Sequence, residues 1–309
     1  MLIVKILLLV LGFIMLIKGA DWFVDGAAGL AKKLKISEII IGLTVVAMGT
    51  SLPEASVSIS SAVKNSADLA VGNVVGSNIM NILIILGITA IISPLAVQKE
   101  TMKRDLPLLI FVSAMMIFFC WNEKINRIGG IVMLAIFVLY LIVLVRNARK
   151  GNMQSDTKIK NRPMWQLLLL LVVGLVIVII GSNITVDSAS YIAASLGVSE
   201  RVIGLTVVAF GTSLPELVTC IMAAKKNSAD LAIGNIIGSN IFNILLVLGV
   251  TALFTEVPYQ LSFMKDTLFA VLSSIMVLVG SLICKNKLTR LVGILFVLTY
   301  CIYFVVAVI

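Results

Sequence analysis

The chain has 309 residues, of which 60% are hydrophobic and 13% are charged, with a formal net charge of +9 and a mean hydropathy of +1.15. This composition excludes an ordinary soluble domain, and the absence of histidine excludes imidazole zinc sites and Ser-His or Cys-His catalytic dyads. The basic residues fall between apolar runs, so we interpret them as topogenic charges in a lipid bilayer and expect no nucleic-acid partner.

Ten apolar segments near membrane-spanning length follow one another along the chain. Five segments lie in the first half and are predicted to be helices at residues 2–32, 37–62, 68–92, 106–121 and 128–145. Residues 146–162 form the one extended polar stretch, which predicts a linker. Five further helices are predicted in the second half at residues 164–196, 199–224, 230–254, 264–284 and 288–309.

The second half repeats the first at a constant offset of 162 residues. Residues 37–90 and 199–252 align without a gap and share 37 identities in 54 positions. Because each unit has five spans, an odd number, the second unit must enter the membrane from the side opposite to the first. The predicted fold is therefore an all-α membrane protein of ten helices in two inverted repeats, 1–145 and 163–309, with broken helices at the midplane.

The distribution of basic residues predicts the orientation. When the loops are assigned alternately to two sides, one side carries 17 lysines and arginines and the other carries 6. The richer side is expected to be cytoplasmic, since positive loops are retained there. This places the linker inside and both termini outside a plasma (inner) membrane.

The motif GTSLPE occurs twice, at residues 49–54 and 211–216, inside apolar segments. A charge at membrane depth costs about 2.5–3.5 kcal/mol on insertion scales, so Glu54 and Glu216 are expected to serve a function. Pro53 cannot donate to the carbonyl of Gly49, which predicts a helix interruption near residues 47–50 and carbonyls freed from helical bonding. Glu54 lies one turn beyond Thr50 and Ser51, so the three side chains can face one pocket.

A second repeated motif, GNxxGSNIxN, follows each GTSLPE motif. It places Ser77 four residues before Asn81, and Ser239 four residues before Asn243, so each pair shares a helix face. Together the two motifs supply hard oxygen donors, which suit Ca²⁺ and Na⁺, and no sulfur or imidazole. Two carboxylates about 5 Å apart repel by about 3 kcal/mol at an effective dielectric of 20, so the empty site is expected to attract cations or protons.

With both motifs present twice, the chain resembles the sodium/calcium exchanger family of cation antiporters, and most of all its short prokaryotic members. The resemblance implies an ion site made by the second and third spans of each half, and first and sixth spans that slide over the core. The ligands that it implies at matching positions are the carbonyls of Ala47 and Ala209 and the side chains of Thr50, Ser51, Glu54, Ser77, Asn81, Thr212, Ser213, Glu216, Ser239 and Asn243.

One position departs from some members of that family. Certain archaeal exchangers and the potassium-dependent branch have aspartate where Asn243 stands, which argues against potassium co-transport. The proton/calcium branch has an acid where Gly76 and Gly238 stand in this chain, which argues against that branch.

The predicted function is a Na⁺/Ca²⁺ antiporter that works by alternating access at one shared oxygen-ligand site. It is not an enzyme, needs no cofactor, and has Na⁺ and Ca²⁺ as its transported ions; one chain is expected to suffice for transport. Proton-coupled or broader divalent cation exchange and a cation channel remain as alternatives. An intramembrane hydrolase using Ser51 or Ser213 is disfavoured by the absence of histidine.

Overall fold

The computed structural model describes residues 2–63, 68–148, 162–197 and 209–308. Most of the predicted linker, and residues 199–208 of the predicted seventh span, lie outside this part of the chain. The described residues form helices joined by short turns and by two small strand pairings.

The helices of the first half agree with the predicted spans to within about five residues. They are α1 (Leu2–Leu34), α2 (Glu38–Thr50), α3 (Leu52–Val63), α4 (Leu69–Ile92), α5 (Thr101–Trp121) and α6 (Arg127–Ala148). Two ends differ most from the prediction. Helix α5 begins earlier, with a π-helical turn at Thr101–Asp105, and α6 continues three residues into the predicted linker.

The described helices of the second half follow the same order. They are α7 (Met164–Ser195), the single turn α8 (Ala209–Thr212), α9 (Leu214–Lys225), α10 (Ala229–Phe254), α11 (Leu261–Ile283) and α12 (Arg290–Val308). Within the described residues, seven helices are long and apolar enough to cross a membrane, and the bent pair α2–α3 makes an eighth candidate. Helix α12 contains a shorter apolar stretch.

The two halves match in local structure as well as in sequence. Helix α4 widens into a π-helix at Asn81–Leu86, and α10 does the same at Asn243–Leu248, 162 residues later. Each half also contributes one strand to each of two small two-stranded sheets. Leu95–Ala96 (β1) pairs with Lys287–Leu288 (β4), while Lys124–Ile125 (β2) pairs with Val257–Pro258 (β3), both antiparallel. Each half is therefore joined to the other by backbone hydrogen bonds at two places.

Helices α1 and α7 pack against each other with their backbones in direct contact. A methyl group added at Gly19 would lie 2.9 Å from the carbonyl oxygen of Gly174, and one added at Gly174 would lie 2.8 Å from that of Gly19. Such close approach is possible only without a Cβ. The glycines on this contact are spaced seven residues apart on each helix: Gly12, Gly19, Gly26, Gly174 and Gly181.

The first GTSLPE motif bends its span. Helices α2 and α3 meet at an angle of 47° at Ser51, directly after the predicted interruption at residues 47–50. The missing N–H of Pro53 explains the position, since it removes a bond of the turn that would cross Ser51. The carbonyls of this stretch are not all freed as predicted, because that of Ala47 still accepts the N–H of Ser51 at 3.1 Å.

An ion pair links α1 to the end of α9. The ammonium nitrogen of Lys226 lies 2.7 Å from a carboxylate oxygen of Asp21 and also binds the carboxylate of Asp25. All three side chains are partly exposed, and an exposed pair of this kind contributes about 0–1 kcal/mol to stability. The ion pair therefore contributes little to the attachment of α1, whose buried apolar side chains pack against the core.

Candidate ion-binding site

The two copies of the GTSLPE motif meet in the interior and bind each other. Glu54 lies in the first turn of α3 and Glu216 in the first turn of α9, and neither side chain is exposed. The hydroxyl of Ser51 donates to Glu216 Oε1 at 2.9 Å, and the hydroxyl of Ser213 donates to Glu54 Oε1 at 3.1 Å. Each glutamate thus accepts a hydrogen bond from the serine of the other repeat, so the two motifs are in direct contact.

Four buried oxygen atoms of the predicted ligands have no hydrogen-bond partner. They are Oε2 of Glu54 and of Glu216, and Oδ1 of Asn81 and of Asn243. None of the four residues is exposed to solvent. A buried acceptor without a donor costs about 1–3 kcal/mol, and more if it is charged. The four atoms form two repeat-related pairs, and all of them are oxygen acceptors, the kind of atom that binds a cation.

Three further predicted hydroxyl ligands, Thr50, Ser77 and Ser239, are buried, and two of them make hydrogen bonds to other groups. The hydroxyl of Thr50 lies 3.1 Å from the carbonyl oxygen of Val46 and 3.0 Å from Oδ1 of Asn235. The hydroxyl of Ser239 donates to the carbonyl of Ala47 at 3.4 Å. Ser77 is buried in α4 one turn before Asn81. A hydroxyl can accept one contact while it donates another, so these groups remain available as neutral acceptors.

The remaining predicted ligands lie on the short turn α8. Ala209 begins this turn and Thr212 ends it, directly before Ser213, as Ala47 and Thr50 precede Ser51 in the first half. The structure describes the backbone of Ala209, and Thr212 is partly buried. The predicted residues of both halves therefore lie on corresponding elements, although the segment before Ala209 lies outside the described residues.

Four buried or half-buried asparagines of the second motif were not predicted as site residues. Asn73 donates to the hydroxyl of Ser58 at 2.9 Å and to the backbone carbonyl of Glu54 at 3.2 Å. Its repeat counterpart Asn235 accepts from Thr50. Asn78 and Asn240 bind each other and the two predicted asparagines. Their repetition in both halves was a usable signal, but the four-residue spacing rule selected only Ser77, Asn81 and their counterparts.

The charge of the site comes from the two glutamates, and its other donors are neutral. Among residues 2–63, 68–148, 162–197 and 209–308, no group of three or more His, Cys, Asp or Glu side chains could hold a metal ion. Two carboxylates with amide and hydroxyl oxygens match the preferences of Ca²⁺ and Na⁺, which take oxygen ligands in flexible arrangements. Because only two of its groups are charged, such a site can release an ion as well as bind it.

Comparison with known proteins agrees with this geometry. A family profile described as "Sodium/calcium exchanger protein" matches residues 4–146 and 166–309, nearly the whole chain. The chain is 38% identical over 300 residues to an uncharacterized membrane protein of Methanocaldococcus jannaschii, and 97% of each chain is covered. It is 33% identical over 309 residues to the sodium/calcium exchanger MaX1 of Methanosarcina acetivorans, with 87% of each covered.

Solved structures give the same result. The chain superimposes on the sodium-calcium exchanger NCX_Mj soaked with zero Na⁺ and Ca²⁺ with a TM-score of 0.86, at 37% sequence identity and with 99% of both chains covered. A crystal of the same exchanger soaked with 2.5 mM Na⁺ and 10 mM Sr²⁺ gives a TM-score of 0.85 at 36% identity, again with 99% of both chains covered. The likeness therefore extends over nearly the whole chain, including both copies of the repeated sequence.

Proposed function

The chain belongs to the sodium/calcium exchanger protein family, whose members are transporters rather than enzymes, and from this premise we propose that it exchanges Na⁺ for Ca²⁺ across a membrane. It is an integral, multi-pass membrane protein, as its apolar helices and its relatives indicate.

One observation carries the proposal, namely the four unpartnered oxygens of Glu54, Glu216, Asn81 and Asn243. Two carboxylates give this site a formal charge of −2, which one Ca²⁺ neutralises. Several Na⁺ ions would satisfy the same oxygens. Because both kinds of ion need the same carboxylates, they cannot be held there together, and one must leave before the other binds. Competition of this kind supports exchange rather than co-transport.

We extend the ligand set to the residues around these oxygens. Each serine that binds a glutamate has lone pairs to spare, and the neighbouring threonines and backbone carbonyls add neutral oxygens at the same depth. The full proposed set is Ala47, Thr50, Ser51, Glu54, Ser77, Asn81, Ala209, Thr212, Ser213, Glu216, Ser239 and Asn243. The reciprocal bonds of Ser51 and Ser213 support a single shared site.

The proposed architecture is ten membrane spans in two inverted five-helix repeats, 1–145 and 163–309, joined by a cytoplasmic linker. A two-fold relation between the halves is supported by the matching π-helices of α4 and α10. It is also supported by the two strand pairings, each of which joins one half to the other. The excess of basic residues on one set of loops supports a plasma-membrane orientation with both termini outside.

Alternating access is proposed to occur by movement of α1 and α7 over the remaining helices. Their glycine contact supports movement as one body, since the two backbones touch over three turns or more. The polar contact of α1 with α9 at Lys226 is an exposed ion pair, which can be exchanged for water at little cost. The other contacts of α1 with the core are apolar, through side chains such as Phe23 and Val24, and α7 adds one buried hydrogen bond from Ser182 to the Gly211 carbonyl. The site helices, by contrast, are joined by buried hydrogen bonds that are costly to break.

The coupling ion can be tested with the purified protein in proteoliposomes. Vesicles loaded with Na⁺ and diluted into Na⁺-free medium containing ⁴⁵Ca²⁺ are expected to accumulate the isotope well above protein-free vesicles. Vesicles loaded with K⁺, or carrying only a pH gradient, are expected to give the background level. A sodium ionophore that collapses the gradient should remove the signal.

The alternatives give different results in the same assay. Uptake that follows the pH gradient and ignores Na⁺ would establish proton coupling and overturn the proposal. Uptake of other divalent ions with equal efficiency would indicate a broader exchanger. Large unitary currents in a planar bilayer would indicate a channel.

A further inference from the structure

We propose that Asn78 and Asn240 are positioning residues, which fix the amide groups of Asn243 and Asn81 so that their oxygens face the ion. This inference rests on the proposed function, and it assigns a role to two residues outside the proposed ligand set. Both are buried, with exposures of 4% and 0%. Their side chains form a closed network between α4 and α10.

The network begins at backbone carbonyls, which can only accept hydrogen bonds. The amide nitrogen of Asn240 donates to the carbonyl oxygen of Asn78 at 3.1 Å. Oδ1 of Asn240 must then point away from that carbonyl, and there it accepts a hydrogen bond from Nδ2 of Asn81 at 2.9 Å. Since Nδ2 of Asn81 is used in this bond, its Oδ1 is the atom left facing the site, and it has no partner there.

The second arm repeats this arrangement with the halves exchanged. The amide nitrogen of Asn78 donates to the carbonyl oxygen of Asn240 at 3.1 Å. Oδ1 of Asn78 then accepts Nδ2 of Asn243 at 3.2 Å, which leaves Oδ1 of Asn243 unpartnered. In each arm the orientation is set by a main-chain carbonyl, so neither amide can turn over without losing two hydrogen bonds.

Orientation matters because an asparagine amide has a different group at each end. One end is an acceptor and the other carries two donors. A turned amide would present N–H groups to the cation and remove a ligand. In a buried site no water is available to compensate either error. The network therefore selects the binding orientation before the ion arrives, which lowers the reorganisation needed on binding.

A double-mutant cycle tests this role. Asn78→Leu is expected to raise the Ca²⁺ concentration for half-maximal exchange by about tenfold, which corresponds to about 1.4 kcal/mol, with little change in maximal rate. In an Asn243→Ala background the same substitution is expected to change that concentration by less than about twofold, because the amide that it orients is already absent.

Each positioning asparagine binds the predicted ligand of the other repeat, and this pairing supplies a matched control. Asn78 orients Asn243 and does not bind the side chain of Asn81, so Asn78→Leu should keep most of its effect in an Asn81→Ala background. The mirror cycle, Asn240→Leu with Asn81→Ala, should show the same coupling and replaces the first if Asn78→Leu does not fold. Equilibrium binding of ⁴⁵Ca²⁺ to purified protein in detergent measures the dissociation constant directly, and it should show the same coupling without vesicles.

The outcomes separate this inference from the proposed function. Equal effects of Asn78→Leu in wild-type and Asn243→Ala backgrounds, or a loss of maximal rate alone, would show a merely structural role and overturn the inference. Absence of Na⁺-dependent Ca²⁺ exchange in the wild-type protein would instead overturn the proposed function. Coupling of Asn78 with Asn243 and of Asn240 with Asn81, without coupling of Asn78 with Asn81, supports the positioning role.

Discussion

Glu54→Gln and Glu216→Gln are each expected to reduce Na⁺-driven ⁴⁵Ca²⁺ uptake to the level of protein-free vesicles. Glutamine keeps the size of glutamate but removes one of the two charges that neutralise Ca²⁺. Its amide also places two N–H donors beside the remaining oxygens. The loss of either carboxylate leaves the ion with one uncompensated charge in a buried site, which is among the most costly arrangements in a membrane protein.

The matched control is Glu256→Gln, the same chemical change at an exposed position. Glu256 is 56% exposed and pairs with Lys124 outside the site, so uptake should remain near the wild-type level. All three variants should melt within a few degrees of wild type, because glutamine can still accept the serine hydroxyl. Normal uptake by both site variants would contradict the assignment of these glutamates as ion ligands.

Gly174→Leu is expected to prevent normal packing of α1 against α7 and to abolish both stability and transport. Any Cβ at this position would lie 2.8 Å from the carbonyl oxygen of Gly19, against a backbone that cannot rotate away. Gly174→Ala gives a graded test, because overpacking costs about 1–3 kcal/mol. Helix propensity alone would favour alanine by about 1 kcal/mol, so the two effects differ in sign.

The measurement is the thermal unfolding midpoint in detergent together with transport activity. Val172→Leu is the control on the same helix, at a side chain that is 56% exposed, and both quantities should stay near wild type. A Gly174→Ala variant that is more stable than wild type would contradict the close-packed pair and the movement of α1 and α7 as one body.

Two residues of the proposed site could be singled out from the sequence because they break the local pattern. Glu54 and Glu216 stand in apolar helices where an acid is costly, and their surroundings occur twice. Helix positions followed from apolar length in the same way. These signals depend only on neighbours along the chain, which is why a single sequence was enough to identify them.

The partners within the site could not be predicted, because they depend on contacts between residues about 160 positions apart. Local spacing suggested that Ser51 faces Glu54 of its own repeat, yet its hydroxyl binds Glu216. Spacing likewise gave no reason to choose Asn78, whose contacts are made across the two repeats. The bend at Ser51 was predicted a few residues early, because Pro53 limits the position of a break without fixing it.

The glycine contact of α1 with α7 was also absent from the prediction. Single glycines in apolar helices are common, and a spacing of seven residues acquires meaning only when a second helix with matching glycines lies against it. The sequence predicts the length of both helices but carries no record of which helix each one touches.

Equilibrium binding of ⁴⁵Ca²⁺ to the purified protein, measured at increasing Na⁺ concentration, tests the shared site most directly. Na⁺ is expected to raise the apparent dissociation constant of Ca²⁺ progressively, while the number of Ca²⁺ ions bound at saturation stays the same. Choline at equal ionic strength should leave the constant unchanged. Ca²⁺ binding that is indifferent to saturating Na⁺ would mean that the two ions occupy separate oxygens, and it would contradict exchange at one site built by Glu54 and Glu216.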